Sequence, residues 1–399
     1  MSKKNGLNVS LLLLVILLSA NMRACYTGVG TIVDMIQAEL GLNGAAAGMI
    51  TTIPLIVFAI VCPIASVLSQ RFSIGKMLEA ALVFIFVGVG LRALFGAFGL
   101  FAGTALMAIG VGIMNSLMIA LIKLRFPNHV GLVSALYTTT MSVTTAMCMG
   151  INVPLTAFIG WRGVLAMWSI AALAAIILWA PQSRLEINRG GASAKEKGLM
   201  LKMMGSWKAW MLLGYMGTQS MLFYCTSAWM PSILQWWGMS AADAAMVSTV
   251  IQVISLSTTL LVPIFMEKMS WRWIVCICNL CYVSGAVFFF LSRGTTVLFL
   301  LGVVLLALGI GTGFSACIFL FSARSASPAE TSAISGFTQC GGYIFAAVGP
   351  VLMGRIFDIS QSWNGAMIFW FAVLIAMCIF SVFSTEKSLI LKKKDFAEK

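Results

Sequence analysis

The stretch Leu106-Met-Ala-Ile-Gly-Val-Gly112 recurs as Leu305-Leu-Ala-Leu-Gly-Ile-Gly311, at an offset of 199 residues. Two other segments recur in the same order, at offsets of 197 and 202 residues. They are Gly41-Leu-Asn-Gly-Ala-Ala-Ala-Gly48 with Gly238-Met-Ser-Ala-Ala-Asp-Ala-Ala245, and Trp161-x-Gly163-x-x-x-x-Trp168 with Trp363-x-Gly365-x-x-x-x-Trp370. Matches that keep their order and almost their spacing indicate an internal repeat that divides the chain into two similar halves.

The composition places both halves of the repeat in a lipid bilayer. Of the 399 residues, 60% are hydrophobic and only 9% are charged, whereas a soluble globular protein has about 25% charged residues. A soluble enzyme is therefore excluded. The charged positions divide the apolar sequence into twelve segments that are each long enough to cross a bilayer as a helix, which takes about 20 residues. They are residues 8–33, 44–68, 77–95, 100–122, 130–153, 162–180, 208–234, 242–265, 273–291, 296–322, 331–354 and 364–384.

A polar stretch separates the first six segments from the last six. The predicted organisation is an amino-terminal six-helix bundle (1–180), a cytoplasmic linker (181–206), a carboxy-terminal six-helix bundle (207–385) and a basic cytoplasmic tail (386–399). An even number of helices separates the repeat copies, so both copies have the same orientation in the membrane. The sequence therefore predicts an all-α membrane protein with twelve transmembrane helices in two bundles related by a parallel repeat. Such repeats occur in transporters whose halves rock about a central solute site.

The basic residues predict the topology. The formal net charge is +13, and twenty lysines and arginines fall in segments on one side of the predicted membrane against four on the other. The positive-inside rule then places both termini in the cytoplasm, as expected for a multi-pass protein of the cell (inner) membrane. Anionic lipid beside the basic loops accounts for the positive charge, so we expect no nucleic-acid partner.

Short segments in the first half resemble those of a known family. Asn21-Met-Arg23 with Thr27-Gly-Val-Gly30, and Gly110-Val-Gly-Ile-Met-Asn115 with Lys123-x-Arg-Phe126, resemble the major facilitator superfamily. Within that superfamily they are most similar to the cyanate permease and 2-nitroimidazole transporter branch, although Ala24 stands where the branch has proline. The resemblance covers the whole chain. It implies a twelve-helix fold, a small-molecule substrate and alternating access.

Two motifs of the superfamily are incomplete here. The gating loop after helix 2 normally reads Gly-x-x-x-Asp-Arg-x-Gly-Arg, and the resemblance assigns Gln70, Arg71 and Lys76 to it. Because Gln70 replaces the aspartate, we do not expect a charge relay in that loop. The antiporter signature of helix 5, Gly-x-x-x-Gly-Pro, is only partly present at Gly150-Ile-Asn-Val-Pro154. That departure disfavours drug/proton exchange.

One basic residue, Arg23, lies in the middle of a predicted span with no carboxylate beside it in the predicted helices. A charge at the bilayer centre costs about 2.5–3.5 kcal/mol on insertion scales, so we expect Arg23 to face an aqueous cavity. Its planar guanidinium suits a small anion or the electron-rich end of a polar molecule. The alternative is a structural role, in which Arg23 bonds carbonyls and Asn21. Tyr26 and Thr27, at i+3 and i+4, share the Arg23 face of a helix. The predicted substrate-binding residues of helix 1 are therefore Asn21, Arg23, Tyr26 and Thr27.

The resemblance implies that helices 1, 4, 7 and 10 line a central cavity and that helices 2, 5, 8 and 11 flank it. Polar residues midway along these helices are further candidates for substrate binding. The alternative for each is an interhelical hydrogen bond, which contributes about 0.6 kcal/mol on average. The candidates are Asn115, Tyr137, Gln219, Tyr224, Gln252, Gln339 and Tyr343. The last two form an i, i+4 pair on one helix face, and Gln219 lies close to the repeat position of Arg23.

The sequence contains no recognisable catalytic arrangement. It has no nucleophile paired with a base and no Gly-x-x-x-x-Gly-Lys-Ser/Thr motif, so we expect neither an enzyme nor ATP-driven transport. We expect no cofactor and no metal, because even the cluster Cys276, Cys278 and Cys281 has the flanks of an ordinary apolar helix. Protons are a candidate coupling ion. With no carboxylate or histidine at mid-membrane, either the substrate or Glu79 or Asp34 at a helix end would carry them.

The function that these features favour is a secondary active or facilitative transporter, acting as a monomer. Its predicted substrate is a small anionic or polar organic solute: a cyanate-like anion, a small carboxylate or a nitroimidazole-like compound. One alternative is a multidrug or nitroheterocycle exporter with a more aromatic cavity, for which Trp229, Phe223 and Phe337 are available. The other is a membrane receptor that does not transport, but the tail after Phe383 is short for a signalling domain.

Overall fold

The computed structural model describes residues 9–42, 44–185, 198–292 and 297–391. Every regular element in these ranges is a helix, which confirms the predicted all-α class. The elements are α1 (Val9–Ala24), a 3-10 helix (Thr27–Ile32), α2 (Val33–Leu40), α3 (Gly44–Leu68), α4 (Ile74–Leu94), α5 (Gly96–Arg125), α6 (Val130–Leu185), α7 (Leu199–Met204), α8 (Trp207–Trp236), α9 (Ala241–Lys268), α10 (Trp271–Ser292), α11 (Val297–Ala323), α12 (Pro328–Ser360) and α13 (Trp363–Ser384).

Eight helices in the described ranges are long and apolar enough to cross a membrane, and two shorter apolar helices accompany them. Most predicted spans coincide with single helices to within a few residues. The spans 130–153 and 162–180 both fall in α6, which is broken at Gly160. Gly160 has φ 65° and ψ 169°, a conformation that essentially only glycine adopts. The two sides of this break are the fifth and sixth of the twelve predicted spans.

The first span differs from its prediction. Residues 8–33 were expected to form one helix, but α1 ends at Ala24 and a 3-10 helix follows from Thr27. The sequence Thr27-Gly-Val-Gly-Thr-Ile32 explains the change, because glycine and β-branched residues have poor α-helix propensity. Thr27 also bonds the carbonyl of Arg23 through its hydroxyl, at 2.8 Å.

Parts of the predicted linker and tail lie within the described ranges. Helix α6 continues to Leu185, and α7 forms within the linker with the side chains of Leu199 and Met203 buried. Residues 186–197 and 392–399 lie outside the described ranges. Near the start of the predicted tail, Ile390 donates its N–H to the Arg324 carbonyl at 3.0 Å. The tail segment therefore begins as a packed part of the protein.

The chain forms two compact units. The first contains the described residues up to Met200 together with Ser327–Gly336, the beginning of α12. The second contains Leu201–Ala326 and the described residues from Phe337 onward. In the first unit, the beginning of α12 contacts α3 and α5: the hydroxyls of Ser69 and Ser332 are 3.2 Å apart, and Ser335 donates to the Asn115 carbonyl at 3.2 Å.

Glycines repeat the same helix contact in each unit. In the first, α4 and α5 cross so closely that a Cβ on Gly88 would lie 2.7 Å from the Gly103 carbonyl. In the second unit, α10 and α11 cross equally closely, because a Cβ on Gly302 would lie 2.5 Å from the backbone nitrogen of Phe289. Small residues permit close backbone approach where lipid supplies no hydrophobic drive between helices.

Candidate functional site

The predicted site begins where α1 ends, at Arg23. Its guanidinium Nη1 donates to the Tyr26 hydroxyl, and its carbonyl accepts from Thr27 Oγ1 at 2.8 Å and from the Tyr26 backbone N–H at 3.2 Å. The side chain of Arg23 is partly exposed. Tyr26 and Thr27 thus meet Arg23, as predicted, but they do so through a turn. The expected shared face of a continuous helix is wrong, because the helix ends at Ala24.

Aromatic and polar groups from neighbouring helices surround this end of α1. The Arg23 guanidinium carbon lies 5.7 Å from the centre of the Tyr26 ring, which packs edge-on against Phe58 of α3 at 5.8 Å. Tyr137 of α6 is buried, and its hydroxyl lies within electrostatic range of the Arg23 charge. The structure therefore brings Arg23, Tyr26 and Tyr137 together within the first unit.

Asn21, two residues before Arg23, is buried and bonded to main chain. Its amide nitrogen donates to the carbonyl of Leu17 at 2.9 Å and to that of Ala171 at 3.3 Å. The second bond ties α1 to α6. These contacts give Asn21 a packing role, and its contact with substrate stays a prediction.

Sequence reasoning missed a second arginine close to this site. Arg92, in the last turn of α4, is one of the four basic residues counted on the outer side of the predicted membrane, and only 1% of it is exposed. Its Nη1 donates to the carbonyl of Cys25 at 2.6 Å, next to the end of α1. Its Nε and Nη2 have no hydrogen-bond partner among the residues that the structure describes. The sequence feature that accompanies this burial is Gly103 on α5. A Cβ at that position would lie 2.8 Å from the Arg92 Cγ, so a larger residue would crowd the arginine side chain.

Both arginines carry their charge within electrostatic range of Cys25, the residue that follows α1. Arg92 completes the hydrogen bonding of a helix end, where backbone carbonyls lack partners within the helix. A cation at that position also interacts favourably with the helix dipole. The end of α1 is therefore held between two guanidinium groups, one partly exposed and one buried.

The remaining candidates of the first unit have mixed environments. Asn115 is buried on α5, and its carbonyl accepts the Ser335 hydroxyl described above. In the predicted gating loop, Gln70 and Arg71 form the turn between α3 and α4, whereas Lys76 belongs to the first turn of α4. Ser73 caps that helix by accepting the Lys76 N–H at 3.4 Å. The side chains of Arg71 and Lys76 are exposed.

The candidates of the second unit lie on α8, α9 and α12. Gln219 is buried, donates to Ser220 Oγ at 2.8 Å and packs against Gly313 of α11. The predicted pairing on one face of α12 is confirmed, because the Tyr343 hydroxyl donates to Gln339 Oε1 at 3.2 Å. Tyr224 is partly exposed and Gln252 is exposed.

Within the described residues, no group of three His, Cys, Asp or Glu side chains is placed to hold a metal ion. All ten cysteines are free thiols. The groups that the end of α1 offers are a guanidinium, a phenol hydroxyl and a buried second guanidinium. Such donors suit an anion or an electron-rich oxygen or nitrogen.

Comparison with known proteins gives a consistent family assignment. The family model described as Major Facilitator Superfamily matches residues 11–350. The uncharacterized transporter YycB of Bacillus subtilis is 34% identical, with 91% of this chain and 90% of that protein covered. The 2-nitroimidazole transporter of Escherichia coli is 30% identical, with 92% and 93% covered. The cyanate transport protein CynX of the same organism is 24% identical, with 88% and 91% covered.

A solved structure of the proton:xylose symporter XylE has the same fold. It superposes with a TM-score of 0.78 and covers 98% of each chain, at 15% sequence identity. This likeness extends over both compact units. At that identity it concerns the fold alone.

Proposed function

This chain belongs to the major facilitator superfamily, and from that premise we propose that it moves a small anionic or polar organic solute across the cell membrane by alternating access. That it is a membrane-spanning transporter of this superfamily follows from the family match. The substrate class rests on the chemistry of its own residues. Two relatives support it, because one is named for 2-nitroimidazole and the other for cyanate.

The observation that carries the proposal is the Arg23 guanidinium bonded to the Tyr26 hydroxyl at the end of α1. A partly exposed arginine there presents N–H donors in a planar fork that matches carboxylate and similar groups. Tyr137 adds a second phenol near the same charge. An anion at this position would accept N–H donors of the guanidinium and partly neutralise the local positive charge.

We propose that the bundles 1–180 and 207–385 are the moving parts, with both termini in the cytoplasm. Gln219, Gln339 and Tyr343 would supply neutral hydrogen bonds from the second bundle. Protons are the proposed coupling ion if transport is active, and the substrate would carry the proton when it is a weak acid. A reporter fused after residue 399 would test the orientation, and we expect it to be active in the cytoplasm.

A second candidate function is export of a nitroheterocycle. It is favoured by the relative named as a 2-nitroimidazole transporter, which matches over 92% of this chain. The two candidates differ in the charge of the substrate. An anion depends on the net charge of residue 23, whereas a neutral nitroimidazole needs only a hydrogen-bond donor and a flat apolar surface.

The test is counterflow into liposomes that contain the purified transporter, with labelled cyanate, acetate and 2-nitroimidazole. Arg23→Gln removes the charge, Arg23→Lys keeps it without the fork, and Arg355→Gln removes an exposed arginine as the matched control. We expect anion exchange to be lost in Arg23→Gln and to remain weak in Arg23→Lys, because an ammonium cannot bind two oxygens in parallel. Undiminished anion exchange in Arg23→Gln would leave Arg23 with a structural role only.

A further inference from the structure

The repeated tryptophans Trp161 and Trp363 have different partners in the two units. In the first unit, the Trp161 indole donates to Glu39 Oε2 at 2.5 Å, and Arg162 forms an ion pair with the same carboxylate. The Arg162 guanidinium carbon lies 4.5 Å from the centre of the Trp161 ring. The tryptophan face therefore holds a cation, and a carboxylate neutralises it.

In the second unit, Trp363 forms part of an open cavity of about 460 Å³. Trp363 stacks on Phe357 at 4.4 Å and lies 5.2 Å from the ring of Trp229. The Trp229 indole nitrogen is engaged by the Pro350 carbonyl at 2.8 Å, so that ring presents apolar surface. Trp236, which is 42% exposed, adds a fourth aromatic side chain to the lining.

Asp358 is the only charged residue among the eight that line this cavity. Its carboxylate makes no hydrogen bond or ion pair with any part of the chain that the structure describes. At the offset of 202 residues that relates Trp161 to Trp363, the counterpart of Arg162 is the neutral Asn364. The second unit thus has the aromatic face and a carboxylate, but none of the eight lining residues is a cation.

We propose that the cavity formed by Trp229, Trp236, Phe357, Asp358 and Trp363 binds a small organic ammonium cation. Aromatic rings attract a cation through their quadrupole, and cages of such rings are used to recognise quaternary ammonium groups. The Asp358 carboxylate supplies the opposite charge. The volume lies within the range of small-ligand sites, about 300–1,000 Å³. This site is separate from Arg23 and does not depend on the anion proposal.

The test uses the full-length protein in detergent, with choline as the probe and 3,3-dimethyl-1-butanol as its uncharged isostere. Binding is followed by tryptophan fluorescence and by the melting midpoint, which a ligand of the folded state raises. Ionic strength is matched with sodium chloride. We expect choline to bind saturably and the isostere not to bind.

Two variants assign the binding to this cavity. Asp358→Asn is expected to weaken choline binding a few-fold, because it removes the exposed negative charge beside the ammonium. Trp236→Ala, a change at an exposed ring, should weaken it several-fold. Glu267→Gln, at an exposed carboxylate on α9, is the matched control and should leave choline binding unchanged. Equal binding of choline and its isostere, or unchanged binding in Asp358→Asn, would overturn the proposal.

The ammonium group has two sources, a free solute or the headgroup of phosphatidylethanolamine. Nanodiscs of phosphatidylglycerol alone and nanodiscs that also contain phosphatidylethanolamine distinguish them. If the lipid headgroup occupies the cavity, the apparent affinity for choline falls in the second preparation, and Asp358→Asn removes the difference. Equal affinity in both preparations identifies a free solute as the ligand.

Discussion

Replacing Arg92 with methionine should stabilise this protein and impair its function. Arg92 is buried beside Met107 and Gly103, so the methionine side chain follows the path of the arginine stem into an apolar contact. The change removes one short hydrogen bond, to the carbonyl of Cys25, and a weak one of 3.7 Å from Nη1 to the sulfur of Met107. It also removes two buried donors, Nε and Nη2, that have no partner within the described ranges.

The expected change in the free energy of unfolding follows from these hydrogen-bonding groups. A hydrogen bond to a charged group contributes about 1.5–3 kcal/mol, whereas each buried polar group without a partner costs about 1–3 kcal/mol. Two unpartnered donors outweigh one short bond and one weak bond, so we expect a net gain of about 1 kcal/mol. Replacement of buried ionic groups by apolar residues is often neutral or stabilising by similar amounts. For a chain of this size, the melting midpoint should rise by about 1–2 °C.

The assay is thermal unfolding of the purified protein, paired with counterflow of a labelled anion. Arg92→Lys keeps the charge, and Arg355→Met is the control at an exposed position. We expect Arg92→Met to melt higher than wild type and to require a several-fold higher anion concentration for half-maximal exchange. Arg92→Lys should retain more of the affinity. A lower melting midpoint in Arg92→Met would refute the reasoning, because the lost bonds would then outweigh the two unpartnered donors.

Two further predictions concern packing and charge. Gly88→Ala should destabilise the protein by about 1–3 kcal/mol, because the new Cβ would overlap the backbone of α5. The control Gly90→Ala, two residues along the same helix with open space at its Cβ, should leave the stability unchanged. Equal melting midpoints for the two variants would contradict this prediction. The pKa of Glu39 is lowered by hydrogen bonds from Trp161 and from Arg162, whose charge also contributes. The ionised Glu39 carboxylate therefore stabilises the folded protein above the ordinary carboxyl pKa of about 4.3. This stabilisation is lost as the pH falls through the lowered pKa. The difference in melting midpoint between wild type and Glu39→Gln should therefore be constant from neutral pH to about pH 5 and shrink in more acidic solution.

The fold was predictable because the bilayer imposes one length and one composition on every spanning helix. The span 44–68 coincides with α3, and the spans at 242–265 and 296–322 differ from α9 and α11 by a few residues. The repeat added the order and orientation of the helices. Glycines such as Gly88 and Gly302 then fall at the helix crossings, where both halves need the same close approach.

The candidate site was only partly predictable. The charge of Arg23 indicated a site, and the spacing of Tyr26 placed its hydroxyl nearby. The apolar composition continues past the end of α1 at Ala24 and concealed the poor helix propensity of Thr27–Ile32, so that end was missed. The burial of Arg92 was also missed. It depends on the groove opposite Gly103, which exists only after α4 and α5 have packed.

The two missed features belong together. In a bilayer, the carbonyls at a helix end cannot rely on bulk water, so the protein must supply their partners. At the end of α1, Thr27 and the Tyr26 N–H bond the Arg23 carbonyl, and Arg92 bonds the Cys25 carbonyl. The second bond places an additional buried positive charge next to the proposed anion site. An anion that enters beside Arg23 is therefore attracted by both guanidinium groups, while a neutral solute gains nothing from Arg92. Substitution of Arg92 should consequently weaken exchange of cyanate or acetate more than exchange of 2-nitroimidazole.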